Sequence, residues 1–173
     1  IAGESPFRAA FYTSNVACQL YDQNKNTAAH AAMDETVERV TKAMPDANWD
    51  GAKRDLFRAL SRSGYCKSLL EERFGHYALA VDAAQAAERS ARDALALPIP
   101  NNDSFTKLLL QTDVASRIAR KLHAFRAAGR LQDAEQALAE YVRHSREVQL
   151  PVSSLADIYA AAGNLRFSQR EFV

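Results

Sequence analysis

The chain has 173 residues and is 47% hydrophobic, enough to bury roughly two thirds of its unfolded surface in one domain without metal or disulfide support. Its 22 basic and 21 acidic residues are interspersed and leave a formal net charge of +1, which excludes a global field that would draw phosphate or an anionic membrane surface. No stretch approaches the roughly 18 apolar residues of a membrane span, and no signal-peptide core is present, so no membrane insertion is expected. Helix formers dominate and Gly and Pro are scarce, so the expected class is all α, with about seven to eight helices.

In chain order, Ser5-Pro6 opens a first helix whose face is Phe7, Ala10, Ser14, Ala17, Cys18 and Tyr21, ending in the polar run Asp22 to Asn26. A second helix carries Met33, Val37, Val40 and Met44 and stops at Pro45. Asp46 or Asn48 is placed to cap a third, with Trp49, Ala52, Leu56 and Leu60 inward and a break at Gly64. From Tyr65 to Leu97 the pattern is again helical and rich in alanine, as suits a helix clamped between two others, with Gly75 as a candidate kink. Pro98 to Asn102 reads as a linker, because each proline biases the residue before it away from the helix. Asp103 or Ser104 starts a long helix through Phe105, Leu108, Leu109, Ala115, Ile118, Leu122 and Phe125 to Gly129. Its partner runs from Leu131 to about Glu147, and Pro151 begins a further hairpin. The domain reading is one helical unit over 1–173: an irregular half at 1–97, the linker 98–102, and two repeat-like hairpins in 103–173.

Gly129 and Gly163 lie 34 residues apart in two copies of one pattern. The first is Leu122, Phe125, Ala128, Gly129, Leu131, Ala134, Leu138; the second is Ala156, Tyr159, Ala162, Gly163, Leu165, Ser168, Phe172. Both describe a helix, a tight turn and a second helix, the unit that stacks into solenoids which hold other molecules. A solenoid normally ends in a polar helix, whereas this chain ends with Phe167, Phe172 and Val173. Those three are therefore candidate partner contacts, unless they fold back on the preceding helix.

The segments AFRAAGRLQDAEQAL and DIYAAAGNLRFSQREF resemble the tetratricopeptide and pentatricopeptide repeat families. The resemblance implies stacked helical hairpins and, for a pentatricopeptide protein, reading of single-stranded RNA by side chains near the start of each first helix paired with the repeat's last residue. Those positions fall at Arg120 and Ser154, with Gln149 as the final residue; Arg120 with Gln149 is not a usual base-reading pair. Arg117, Arg120, Lys121 and Arg126 cluster on one helix and read as a solvated face. The charge balance argues against RNA as the partner.

Cys18 and Cys66 belong to neither a CxxC pair nor a disulfide-dense scaffold, and the pattern favours buried, reduced core residues. The alternative is a bridge between the first and fourth helices in an oxidising compartment. No phosphate-binding loop, nucleophile elbow or zinc helix is present, and His30, His76, His123 and His144 are far apart. Glu71 and Glu72 are adjacent and so diverge toward solvent. Asn102-Asp103-Ser104 fits a glycosylation sequon, which matters only in a secreted protein. No catalytic, metal or cofactor site is expected.

Taken whole, the near-19-kDa all-helical chain, its start at Ile1 and its degenerate repeat pair resemble the accessory-subunit family that euglenozoan mitochondria add to the catalytic sector of their F-type ATP synthase. A start without Met is also what a cleaved organellar presequence, or experimental trimming, would leave. The resemblance implies docking on the outside of the ATP synthase α subunit, on the matrix side of the inner membrane, with no part in nucleotide chemistry or RNA binding. The alternatives are an organellar RNA-binding repeat protein and a tetratricopeptide-like adaptor or chaperone.

Overall fold

Three described residues with positive φ set the architecture: Asn24, Gly75 and Gly129, at 57°, 76° and 71°. Each closes a helical hairpin with the same pair of bonds. The left-handed residue donates its N–H three residues back, to Tyr21, Glu72 or Arg126, and the following residue donates five back, to Leu20, Glu71 or Phe125, at 2.9 to 3.0 Å. This closure needs positive φ, which glycine adopts freely and asparagine tolerates. The computed structural model describes residues 5–148, 160 and 162–166.

The three hairpins are α1 (Pro6–Asp22) with α2 (Asn26–Ala43), α3 (Asp50–Arg73) with α4 (Tyr77–Ala96), and α5 (Ser104–Ala127) with α6 (Leu131–Glu147). A single 3-10 turn at Met44–Asp46 follows α2. The all-α expectation and the helix number hold, with no strand among the described residues. Each hairpin packs on its neighbour through its first helix: α3 lies against α1 and α2, and α5 against α4 and, less closely, α3. The buried apolar residues accordingly form a row of small clusters at these junctions, such as Ala17, Met33 and Leu70 at the first and Val81, Leu122 and Phe125 at the second.

Several expectations are corrected. Gly64 does not end a helix; α3 runs through it, and a Cβ there would lie 3.1 Å from the Ala87 Cβ and 3.2 Å from the Ala83 carbonyl oxygen. The glycine lets α3 and the alanine-lined face of α4 approach closely, so a residue that resembled a stop is a contact. Gly75 is the true end of α3 and does not kink it. Gly163 lies inside the helical stretch 162–166, without the positive φ a hairpin turn requires. The recurrence therefore runs from 24 to 75 to 129, at intervals of 51 and 54, and not from 129 to 163.

Helix ends and faces follow local chemistry. Pro6 occupies the first turn of α1, as expected, although Ser5 makes no side-chain cap. The Asp103 carboxylate accepts from the Thr106 N–H at 3.0 Å and caps α5; these bonds hold its pKa below the usual carboxylate range. Trp49 is not a core residue: extended backbone places it ahead of α3, its ring over Gly51 and 57% exposed. Val37 also stays exposed, for a reason that becomes clear at the first junction.

Candidate functional site

The hairpins repeat closely enough for positions to be compared by their offset from the turn residue. Ala29, Ala80 and Ala134, five residues after each turn, are all fully buried. Cys66 and Arg120, nine residues before their turns, occupy the same place on α3 and α5, and each fastens its helix to the preceding hairpin. Cys66 does so through a disulfide to Cys18 of α1, with Cα atoms 5.6 Å apart. The pair is thus not two free thiols, and the bridge joins the first and third helices, since α3 continues past Gly64.

Arg120 fastens the next junction by charge. Its Nε donates to Ser68 Oγ at 3.0 Å and its Nη2 meets the Glu72 carboxylate. One turn earlier, Arg117 Nε donates to Ser61 Oγ at 2.9 Å, and its guanidinium lies 4.6 Å from the Tyr65 ring centroid. Burial pushes both guanidinium pKa values down. This overturns the solvated-face reading: Arg117 and Arg120 are buried and Lys121 nearly so. It also removes Arg120 as a base reader, because its guanidinium is committed to α3. The serines of α3 were the missed signal, since small hydroxyls at 61 and 68 leave room for long cationic side chains.

The paired glutamates do not face solvent either. Glu71 is 5% exposed, with His76 Nδ1 at 2.9 Å and His30 Nε2 at 3.4 Å from its carboxylate oxygens. Glu72 turns to Arg120.

A closed ionic ring seals α4, α5 and α6. Lys121 Nζ of α5 sits 2.5 Å from Glu88 of α4 and 2.7 Å from Glu140 of α6, and Arg92 bridges the same carboxylates at 2.8 and 2.5 Å. Burial alone would raise the Glu140 pKa, but its hydrogen bond to Lys121 and the charges of Lys121 and Arg92 outweigh it, and the pKa falls. At the corresponding places of the first junction stand Val37, Lys67, Ala86 and Thr41. Only the lysine is retained. Without the two carboxylates, Lys67 turns to Asp34 at 3.2 Å, and a groove of about 540 Å³ stays open between α2 and α4 over α3. Val37, Leu79, Ala83 and Ala86 give it apolar walls, with Val37 49% and Leu79 53% exposed. This groove is the candidate binding site.

Of the residues singled out in the sequence, Leu122, Phe125 and Ala134 are buried together, with Leu138 packed against them, and Gly129 makes the turn. They are the packing of the third hairpin. Tyr159, Phe167, Phe172 and Val173, with Gln149 and Ser154, lie outside the described residues. Among the described residues no group of side chains is arranged to hold a metal ion, and no helix is long and apolar enough to cross a membrane. Comparison with protein-family models, curated proteins and solved structures finds no match.

Proposed function

We propose that the chain is a non-catalytic docking subunit, an accessory component of the mitochondrial F-type ATP synthase catalytic sector seated on the outer surface of the α subunit. The observation that carries the docking reading is the stacked hairpin array in which the cations of α5, the helix the RNA reading would use, are spent internally. Arg117, Arg120 and Lys121 fasten helix to helix, and what remains at the open junction is apolar and acidic. Such a surface suits another protein better than a phosphate backbone, which needs free basic side chains. The assignment to ATP synthase, to the matrix side of the inner membrane and to a tetratricopeptide- or pentatricopeptide-like repeat rests on the sequence resemblance.

One observation favours a different location. Disulfides persist in oxidising compartments, and Cys18–Cys66 is such a bond; in the matrix the pair would be two buried thiols. The same docking role in an oxidising space is the second reading. Cross-linking mass spectrometry on purified ATP synthase tests the first: links from this chain to the α subunit are expected, and a complete complex lacking this chain would refute the assignment.

A further inference from the structure

The two junctions of the array differ in one respect that has a binding consequence. At the second, Glu88 and Glu140 converge on Lys121 and close the valley between α4 and α6. At the first, Val37 and Ala86 take the places of those glutamates, and the valley between α2 and α4 is open. Its carboxylates are unevenly partnered: Asp34 pairs with Lys67 and Glu71 is contacted by the rings of His30 and His76, whereas no described residue pairs with the carboxylate of Asp82 on the α4 wall. The lining is therefore apolar, with an acidic surplus at one wall.

We propose that this groove binds one amphipathic helix of a partner protein, its apolar face against Val37, Leu79, Ala83 and Ala86 and a lysine or arginine toward Asp82. The inference rests on the docking reading and assigns it a surface. Helix-in-groove recognition needs an apolar trough between two walls, which α2 and α4 supply, and the unmatched carboxylate selects the sign of the partner's flank. The groove is open because the first junction lacks the side chains that fill the second.

The test uses the whole chain and two synthetic helices, one of leucine and lysine at amphipathic spacing and one of leucine and glutamate. Titration by calorimetry should show saturable one-to-one binding of the leucine–lysine helix, at least about tenfold tighter than its acidic counterpart. Asp82→Lys should remove that preference. Val37→Glu with Ala86→Glu puts counterparts of Glu88 and Glu140 beside Lys67, with Thr41 still in the place of Arg92, and should fill the groove and abolish binding while the chain stays folded by circular dichroism. Nonspecific attraction would instead grow with the two added carboxylates. Equal affinity for both helices, no binding, or undiminished binding by the double variant overturns the proposal. Wild-type chain that still cross-links to the α subunit in those cases leaves the docking reading standing and moves its surface elsewhere.

Discussion

Lys67 and Lys121 stand eight residues before the left-handed turn of successive hairpins, yet one is 37% exposed beside a single aspartate and the other is 13% exposed between two glutamates. The same residue at the same place thus serves an open valley in one junction and a sealed one in the next. Lys121→Met should destabilise the fold by about 2 kcal/mol, because the buried Glu88 and the partly buried Glu140 would be left to share Arg92 alone. Adding Glu88→Gln and Glu140→Leu should recover most of that loss in denaturant unfolding. Lys67→Met should cost less than about 1 kcal/mol, since its ion pair is exposed.

The pH dependence follows from the same ring. The folded-state pKa of Glu140 is held below its unfolded value, so its contribution is present above the ordinary value of 4.5 and is lost as pH falls through the lower folded-state value. Thermal melts from pH 7 down to pH 3 should show a decline that Glu140→Gln flattens. Asp55 has the opposite sign: burial raises its pKa against the pull of Arg58, Arg54 and Arg8, so stability is lost as pH rises through its folded-state value. Asp55→Asn should therefore raise the melting temperature at pH 7, with the difference vanishing in acid.

The disulfide closes a separation of 48 residues between the first two hairpins, for which the loop-entropy account gives about 4 kcal/mol. Cys18→Ser with Cys66→Ser should lower the unfolding free energy by up to that amount. A thiol count on native material reports the compartment, with no free thiols expected where the bridge forms.

The turns should separate by residue type. Gly129→Ala forces a Cβ into the left-handed region and should cost about 1 kcal/mol, although nothing lies within 4 Å of the new atom. Asn24→Gly relieves a positive φ of 57° but removes the oxygen that accepts from Arg73 Nη1 at 3.0 Å, so its net effect at the same measurement should stay within about 0.5 kcal/mol. Gly64→Val should cost about 2 kcal/mol by forcing α3 away from Ala83 and Ala87.

What the sequence disclosed depended on how local the signal was. The hairpin at Gly129 was legible because a glycine, the apolar Phe125 and the small Ala134 lie within one short window. Its true relatives were hidden: the first turn uses Asn24 in place of glycine, the second places Glu71 where Phe125 stands, and the intervals are 51 and 54. Gly163 matched the motif by letter but is held in a helix. The groove was not legible, because it arises from the absence of Glu88 and Glu140 counterparts at Val37 and Ala86, and an absence registers only once the hairpins are superposed. Buried Arg117 and Arg120 were misread for a related reason, since charge on a helix is ordinarily solvated unless a neighbour supplies hydroxyls such as Ser61 and Ser68.

Native electrophoresis of detergent-solubilised mitochondria, probed for this chain, tests the docking account most directly. The chain should migrate with the ATP synthase catalytic sector and with its α subunit. Migration solely as a free 19.1 kDa monomer would contradict it.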